Sequence, residues 1–520
     1  MSAWPGALSF GDVWADTVAA NPDRLFLRFE APSGIVRDWT YGEFDTLVAR
    51  MAAQLVRNGV VPGSSVHLAL TNSPAFVAAW IATARLGAWL VPSDPSGRTP
   101  ELAGHIERTR PAVGLYAAAR SSDYLPAAAG MATIAFDEAD TELDQLGNVT
   151  FGDWPQLALR DRAAVMFTSG TTGRPKGVEV TQANYAFAGK VMAEAACLQA
   201  HHRQLVVLPM FHANAQYYSF ASAIWAGASV ALMHTFSASK FLTQAAQHEA
   251  THASLFAAPI RMILARGADP VDGVRLQHCW YAMNISDDQY QVLGGLLGCR
   301  PRQLYGMTET IPAVLTDESA NPLPASMGYV TPGCVVDVHD AGGSSTAPGE
   351  VGEIVVGGEP GITLFAGYLD DPQTTAASFA GEWFRTGDRA RRDSSGRHFF
   401  DGRRADVLKV AGENVSIVEV EHVLAAHPAV LEVAVVGMPD PVRDEVPVAY
   451  VVAADPARPP TIEELFDWCN ERLAKSKRPR DISFVSELPR TSVGKIRKFL
   501  LKDPNAETKP ESQVSERGAT

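Results

Sequence analysis

Apolar residues follow two different periods along the chain, and the two periods alternate. Runs of β-prone residues occur at 65–70, 88–91, 163–167 and 205–208. Between such runs lie patterns with the helical period of about 3.6 residues. The clearest of them begins at a capping box formed by Thr40 and Glu43 and ends before Gly59. Strands that alternate with helices predict an α/β fold with largely parallel sheets.

Helix-like and strand-like patterns also occur after residue 404, in a second region of the chain. Ser416 with Glu419 and Thr461 with Glu464 predict two further helix starts, and strand-like runs lie at 430–436 and 446–452. This composition is typical of a small domain with both helices and strands. We therefore predict three parts: an N-terminal domain at 1–404, a C-terminal domain at 405–502, and a polar, disordered tail at 503–520.

One apolar segment, 217–236, contains no acidic side chain, lysine or arginine over twenty residues. That length raises the possibility of a membrane span. Its glycine at 227, its serines and its five alanines favour a buried helix that turns into a strand. The sequence thus predicts a buried segment, and the membrane span is the alternative.

Composition and charge narrow the functional classes. The 520 residues are 46% hydrophobic and 20% charged, which is enough for several packed units. A net charge of −14 argues against binding to nucleic acids or anionic membranes. The five cysteines are scattered and form no CxxC pair, which favours a reducing compartment and no zinc site. The N-terminus lacks the pattern of a signal peptide, so we predict a cytoplasmic protein.

The segment 167–178 has the composition of a loop that holds a polyphosphate. Hydroxyl residues alternate there with Gly170, Gly173 and Gly177, and Lys176 supplies a positive charge. Glycines allow consecutive amide N–H groups to turn toward one anion. Pro175 before the lysine and a glycine after it distinguish the segment from the common P-loop. The alternative is a solvated surface loop.

Further motifs give this loop a family context. The segments concerned are 208–212 (Leu-Pro-Met-Phe-His), 305–310 (Tyr-Gly-Met-Thr-Glu-Thr), 383–388 (Trp-Phe-Arg-Thr-Gly-Asp), 401–403 (Asp-Gly-Arg) and 489–496 (Pro-Arg-Thr-Ser-Val-Gly-Lys-Ile). In this order they resemble the adenylate-forming superfamily, which contains acyl-CoA synthetases, adenylation domains of nonribosomal peptide synthetases and luciferase. The resemblance implies a large N-terminal domain of packed sheets and helices with a β-subdomain, and a small, mobile α+β C-terminal domain.

The resemblance also implies a set of site residues. The ATP or AMP site would comprise Thr168, Ser169, Gly170, Thr171, Thr172, Gly173, Lys176, Ala282, Met283, Asn284, Tyr305, Gly306, Met307, Asp388 and Arg403. The catalytic residues would be Lys495, Thr308, Glu309 and His212, and Glu309 would also orient Mg²⁺. Coenzyme A would contact Lys409, Gly412 and Glu413. The cofactors implied are therefore ATP, Mg²⁺ and coenzyme A.

Several of these residues also have an ordinary structural interpretation. Thr308 and Glu309 could cap a turn, Asp388 could close a hairpin after Gly387, and Arg403 could be a surface arginine. His212 would either line the acyl pocket or be a packed, hydrogen-bonded histidine. Taken one at a time, these residues do not distinguish the two interpretations, whereas their joint order favours the site.

Two segments depart from the family pattern. The hinge position, usually Asp or Lys, is Ala405, whose methyl group makes no polar contact, so we expect one half-reaction to be weakened. The segment 280–286 replaces a glycine-rich loop, and it resembles the crotonobetaine/carnitine-CoA ligase subgroup, as does 211–216. The acid stays open between a trimethylammonium compound bound by aromatic or acidic walls and a bulky apolar acid of secondary metabolism.

Three functions are compatible with these motifs. The leading one is an acyl-CoA ligase that forms acyl-AMP, releases pyrophosphate and transfers the acyl group to coenzyme A. The second is an enzyme that loads the pantetheine of a carrier protein. The third is a catalytically silent acyl- or nucleotide-binding protein. The partners expected are a carboxylic acid and coenzyme A, without nucleic acid or a membrane span, and homodimer formation is left open.

Overall fold

The computed structural model of the protein describes residues 4, 6–138, 140–141, 143–168, 175–267, 269–283, 285–403, 407–410, 413–440, 443–490 and 496–502. The chain divides into two compact units, Met1–Phe400 and Asp401–Thr520. The predicted tail at 503–520 lies outside the described residues.

The α-helices are α1 (Phe10–Ala20), α2 (Tyr41–Arg57), α3 (Pro74–Arg85), α4 (Thr99–Thr109), α5 (Ser121–Ala127), α6 (Gln182–Ala195), α7 (Ser222–Ala226), α8 (Phe241–Gln247), α9 (Ala257–Ala265), α10 (Asp287–Leu297), α11 (Pro372–Ala377), α12 (Ile417–Ala425) and α13 (Ile462–Arg472). A π-helix spans Asn214–Ala221, and short 3₁₀ helices lie at Ala118–Arg120, Asp144–Leu146, Thr308–Thr310, Lys475–Lys477 and Lys498–Leu501.

The strands are β1 (Leu25–Glu30), β2 (Val36–Thr40), β3 (Ser65–Ala69), β4 (Trp89–Pro92), β5 (Val113–Ala117), β6 (Ala132–Phe136), β7 (Arg162–Thr168), β8 (Lys176–Thr181), β9 (Arg203–Val206), β10 (Ser229–Met233), β11 (His252–Phe256), β12 (His278–Ala282), β13 (Arg302–Tyr305), β14 (Leu315–Thr316), β15 (Tyr329–Val330), β16 (Val335–His339), β17 (Val351–Gly357), β18 (Gly367–Tyr368), β19 (Phe379–Ala380), β20 (Trp383–Arg392), β21 (His398–Arg403), β22 (Val407–Val410), β23 (Glu413–Ser416), β24 (Val430–Asp440), β25 (Asp444–Ala453) and β26 (Asp481–Phe484).

Two large sheets form the centre of the first unit. One has the order β15-β14-β13-β12-β11-β9-β10-β1-β2 and is parallel from β13 to β1. The other has the order β18-β8-β7-β4-β3-β5-β6 and is parallel from β7 to β6. Every residue of β3, β4, β5 and β10 is buried, as expected for parallel strands covered on both faces. The predicted α/β class with largely parallel sheets is confirmed.

Local sequence signals explain how the helices begin. At α2 the Thr40 hydroxyl accepts from the Glu43 amide at 3.2 Å, and the Glu43 carboxylate accepts from the Thr40 amide at 2.8 Å. This predicted capping box is confirmed, and the apolar face of α2 is buried. Helix α6 has an equivalent box between Thr181 and Asn184. It is buried along almost its whole length because it packs within the core of the first unit.

The apolar segment 217–236 has the structure that its small and polar residues predicted. The π-helix at Asn214–Ala221 continues into α7, Gly227 turns the chain at a φ of 64°, and β10 follows. The prediction of a buried helix that turns into a strand is confirmed. No helix in the described part of the chain is both long and apolar enough to cross a membrane.

A third, antiparallel sheet has the order β16-β17-β20-β19 and makes up a β-subdomain. It carries the segment 383–388 on β20. The chain passes into the second unit within β21.

The second unit is a sheet of order β23-β22-β25-β24, with β26 parallel to β25 and helices α12 and α13 beside it. The capping box at Thr461 and Glu464 is present. The predicted helix start at Ser416 is confirmed, since α12 begins there, although the Ser416 side chain makes no capping bond. The Glu419 carboxylate accepts instead from the Lys477 amine at 2.7 Å, because a full positive charge competes better than a backbone amide.

Candidate active site

Three predicted segments of the first unit follow strands of the nine-stranded sheet at its carboxyl edge. Ala282 ends β12 and Tyr305 ends the adjacent parallel strand β13. His212 follows β9 in the same sheet and is half-buried beside Phe211. In open α/β sheets, ligands bind outside the carboxyl ends of the strands, so this edge is where a substrate site is expected.

Tyr305 and Asp388 meet although they lie 83 positions apart. The Tyr305 hydroxyl donates to Asp388 Oδ2 at 2.8 Å, and the two residues are 9% and 5% exposed. Asp388 lies within β20, one residue after Gly387, which has a φ of 75°. The interpretation of Asp388 as a residue that closes a hairpin is therefore wrong. A buried carboxylate near the sheet edge can accept hydrogen bonds from a ligand's hydroxyl groups.

The turn after Tyr305 is tightly constrained. A Cβ atom on Gly306 would lie 2.9 Å from Ala313 Cα and 2.9 Å from the Tyr218 hydroxyl, so only glycine fits there. Met307 and Thr308 are half-buried, and Thr308 begins the short 3₁₀ helix. Ile311 directly follows that helix at a φ of 72° and a ψ of −80°, where a β-branched residue is strained.

The Thr310 side chain holds the two sides of this strained turn together. Its hydroxyl accepts from the Met307 amide at 3.0 Å and lies 3.0 Å from the Met307 carbonyl and 3.1 Å from the Pro312 carbonyl. Strained residues persist where the surrounding structure over-determines them, commonly at functional sites.

Glu309, Tyr368 and Lys176 form a second cluster, which we call the Tyr368 cluster. The Tyr368 hydroxyl donates to Glu309 Oε1 at 3.0 Å, and Glu309 is only 4% exposed. The Lys176 amine lies 4.6 Å from the centre of the Tyr368 ring. Burial, together with the negative charge of Glu309, raises the pKa of Tyr368 well above its usual value. The tyrosine therefore keeps its proton and acts as a donor.

The two arms of the predicted phosphate loop are described, and its tip is not. Thr168 and Lys176 face each other across β7 and β8. The Arg108 guanidinium donates to the Pro175 carbonyl at 2.7 Å and lies 4.7 Å from the Phe167 ring. The His105 ring stacks on Phe167 at 4.1 Å. The remaining predicted loop residues, Ser169, Gly170, Thr171, Thr172 and Gly173, lie outside the described residues.

The segment that replaces the family's glycine-rich loop has an unusual backbone. Met283 has a φ of 73° and is 43% exposed, directly after the last residue of β12. A residue with a side chain pays roughly 1–2 kcal/mol for the left-handed conformation, which glycine adopts freely. Asn284 lies outside the described residues.

The predicted residues of the second unit are described only in part. Arg403 ends β21 and is exposed. Lys409 lies on β22 and Glu413 on β23, which pair as an antiparallel hairpin. Gly412, Ala405 and Lys495 lie outside the described residues, so their roles stay predictions.

The donor chemistry of the Tyr368 cluster fits one kind of metal site. Among the residues that the structure describes, no group of three or more His, Cys, Asp or Glu side chains could enclose a metal ion. Mg²⁺ is commonly held by one or two carboxylates together with substrate phosphates and water, not by a complete protein cage. A carboxylate offers about four lone-pair positions, so a carboxylate that accepts from a tyrosine hydroxyl, as Glu309 does, can also bind a cation. The residues present are therefore compatible with a magnesium ion that arrives with a nucleotide.

Sequence reasoning missed Tyr368, Arg108 and Thr310. Tyr368 looks like an ordinary residue of a short strand, and Arg108 like a charged residue on an amphipathic helix. Only Thr310 carried a signal, because it directly follows Glu309 in the matched motif.

Comparisons with known proteins agree with this geometry. Residues 14–369 match the family model of the AMP-binding enzymes, and residues 419–495 match the model of the AMP-binding enzyme C-terminal domain. The chain is 32% identical to a crotonobetaine/carnitine-CoA ligase of Citrobacter koseri, with 96% of this chain and 99% of the relative covered. It is 31% identical to the ligase of that name from Salmonella agona, with the same coverage.

Solved structures of CoA ligases also match this chain over nearly its whole length. The anthranilate CoA ligase AuaEII in complex with anthranoyl-AMP matches with a TM-score of 0.86 and 25% identity, over 96% of this chain and 98% of that one. The o-succinylbenzoate coenzyme A synthetase of Bacillus subtilis in complex with AMP matches with a TM-score of 0.82 and 28% identity, over 94% and 98%. The prediction of an enzyme related to acyl-CoA synthetases is confirmed: the chain belongs to the AMP-binding enzymes, which are the adenylate-forming superfamily.

Proposed function

We propose that the protein is an ATP-dependent acyl-CoA ligase. The observation that carries this proposal is the Tyr368 cluster, in which a buried carboxylate and a lysine amine contact one tyrosine at the base of the phosphate loop. The buried pair of Tyr305 and Asp388 adds an acceptor suited to ribose hydroxyls. The relatives named as CoA ligases support the choice of coenzyme A as acceptor.

In the first half-reaction a carboxylate oxygen of the acid attacks the α-phosphorus of ATP. A new oxygen–phosphorus bond forms, the bond to the β-phosphate oxygen breaks, and pyrophosphate leaves. Because both reactants are anions, the protein must align them and neutralise their charge. Lys176 and the loop at 168–176 would bind the β- and γ-phosphates, and Thr308 would donate to the α-phosphate. Mg²⁺, held by Glu309, would neutralise part of the phosphate charge when bound.

In the second half-reaction the sulfur of coenzyme A attacks the carbonyl carbon of the acyl-AMP. The carbon–sulfur bond forms, the bond to the phosphate oxygen breaks, AMP leaves, and the thiol proton passes to solvent. Lys495 would serve the first step, and the segment with Lys409, Gly412 and Glu413 would approach the thiol in the second. The domains at 1–404 and 405–502 would rearrange between the steps. With Ala405 at the hinge, one half-reaction would be slower than the other.

The acid itself is the open part of this proposal. The relatives' names refer to a cationic acid, an aromatic amino acid and a keto diacid, and none of these transfers to this chain directly. The buried tyrosines of the π-helix, Tyr217 and Tyr218, are equally compatible with a large apolar acid of secondary metabolism.

The experiment that tests this proposal measures adenylation and acyl transfer separately. The purified chain is incubated with ATP, Mg²⁺ and single acids from a panel that contains carnitine, crotonobetaine, anthranilate, o-succinylbenzoate and polycyclic acids. Acid-dependent ATP–pyrophosphate exchange measures adenylation, and mass spectrometry of the acyl-CoA measures transfer.

Exchange with thioester formation on coenzyme A supports the proposal. Exchange without transfer to coenzyme A, but with transfer to a pantetheinylated carrier protein, favours the loading enzyme. Binding of ATP and acid without formation of AMP would leave the silent binding protein.

A further inference from the structure

Tyr368 lies on a segment that is fixed by backbone hydrogen bonds on both sides. The Phe365 amide donates to the Glu309 carbonyl at 3.0 Å, and the Ala366 amide donates to the Glu179 carbonyl at 2.9 Å. The Leu369 amide donates to the Gly177 carbonyl at 2.8 Å. The short strand β18 therefore joins the turn that carries Glu309 to the strand that begins at Lys176.

The tyrosine itself has little freedom to move. It is 7% exposed, and its amide donates to the Thr375 hydroxyl at 2.9 Å. Its two functional parts point to two different charges: the hydroxyl lies 3.0 Å from Glu309 Oε1, and the ring centre lies 4.6 Å from the Lys176 amine. A hydroxyl–carboxylate bond and a cation–π contact are both stronger where water is excluded.

We propose that Tyr368 is a positioning residue that sets the Glu309 carboxylate and the Lys176 amine at a defined separation, so that a nucleotide's phosphates and its divalent cation are bound together. This inference rests on the proposed function, because it assigns the cation to Glu309 and the phosphates to Lys176. The hydroxyl orients the carboxylate through one hydrogen bond and leaves its negative charge in place. The ring holds the amine beside the phosphate loop without neutralising it, because the ring carries no net charge.

The two contacts can be removed one at a time. Tyr368→Phe keeps the ring and deletes the hydroxyl, whereas Tyr368→Leu deletes both. The probe is Mn²⁺, whose binding to the enzyme in the presence of ATP is followed by electron paramagnetic resonance, without turnover. ATP affinity in the absence of divalent cations is measured separately by calorimetry with EDTA.

For Tyr368→Phe we expect the Mn²⁺ dissociation constant in the presence of ATP to rise by about tenfold or more, the usual value of a hydrogen bond to a charged group. Metal-free ATP affinity should stay within about twofold, because the ring still contacts Lys176. For Tyr368→Leu both constants should rise. In turnover assays, excess Mg²⁺ should restore the rate of Tyr368→Phe.

The matched control is Tyr41→Phe, which deletes a buried hydroxyl that donates to the Ala228 carbonyl at 2.8 Å. It should lower the melting temperature and leave Mn²⁺ binding unchanged. The proposal is overturned if Tyr368→Phe lowers the melting temperature but binds Mn²⁺ as the wild type does. If the wild type shows no acid-dependent pyrophosphate exchange while these binding differences persist, the proposed function fails and the positioning role stands.

Discussion

Replacing Tyr305 with phenylalanine isolates the hydrogen bond that links the motif at 305–310 to the motif at 383–388. The hydroxyl donates to Asp388 Oδ2 at 2.8 Å, and Asp388 is 5% exposed. A hydrogen bond to a charged group is worth about 1.5–3 kcal/mol, and the loss leaves a buried carboxylate without this donor. The ring remains, so the substitution removes the hydroxyl alone. We expect the KM for ATP to rise by about tenfold to a hundredfold, the factor equivalent to that energy.

The assay is acid-dependent pyrophosphate exchange at varied ATP concentration, with urea unfolding measured in parallel. The double-mutant cycle with Asp388→Asn reports the coupling of the two side chains, because residues in direct contact do not act additively. Tyr290→Phe is the matched control, since its hydroxyl donates to the Pro301 carbonyl at 3.0 Å and Tyr290 is not one of the predicted site residues. This control should lose stability and keep the KM for ATP.

The result that refutes the reasoning is a KM for ATP within about twofold of the wild type in Tyr305→Phe, together with an additive cycle. The Tyr305 hydroxyl would then serve only the packing of β13 against β20.

Three other changes test separate features. Arg108→Ala removes the contacts of the guanidinium with Pro175 and Phe167, which are worth together roughly 1–2 kcal/mol. The KM for ATP should therefore rise roughly tenfold, and Arg108→Lys should give an intermediate value. An unchanged KM would contradict the idea that Arg108 fixes the arm of the predicted phosphate loop. Burial lowers the pKa of His105 from 6.5 to about 4. Between these two pH values the unfolded chain binds a proton at His105 and the folded chain does not, so the free energy of unfolding falls as the pH drops from 6.5 to 4. In that window His105→Gln should reduce the slope of urea-derived stability by about 1.4 kcal/mol per pH unit, and an unchanged slope would contradict this. At Ile311, with its φ of 72°, Ile311→Gly should destabilise less than Ile311→Ala in denaturant unfolding, the reverse of the usual order.

Much of the fold could be predicted from short segments of the sequence. The capping boxes at Thr40 and Thr461 and the buried strand β7 follow from neighbouring residues, and the structure has them all. The helix start at Ser416 is also present, but its side-chain capping bond is missing, and Lys477 binds Glu419 from 58 positions away. The π-helix could not be predicted from the sequence either, because periodicity indicates a helix without distinguishing its hydrogen-bond pattern.

The candidate site, too, could be predicted from the sequence only in part. Tyr305, Glu309 and Asp388 stood out because their motifs occur in family order, and the structure places Tyr305 against Asp388. The donor to Glu309 did not stand out, because Tyr368 is 59 positions away on a two-residue strand. Its role depends on how β18 pairs with β8, which is a property of the assembled sheet and not of any short segment.

Two buried carboxylates of the first unit, Asp388 and Glu309, follow one physical scheme. Each accepts a hydrogen bond from a buried tyrosine hydroxyl, Asp388 from Tyr305 and Glu309 from Tyr368. A tyrosine relieves part of the desolvation cost of a carboxylate and leaves its negative charge in place, whereas a bound arginine would neutralise it. If Asp388 and Glu309 bind ribose hydroxyls and a divalent cation as proposed, a neutral donor suits them because it orients a carboxylate without adding a positive charge. The contrast within this unit is Asp317, a fully buried carboxylate that binds the Arg397 guanidinium at 2.6 Å, because an arginine partner offsets the negative charge that a tyrosine leaves in place.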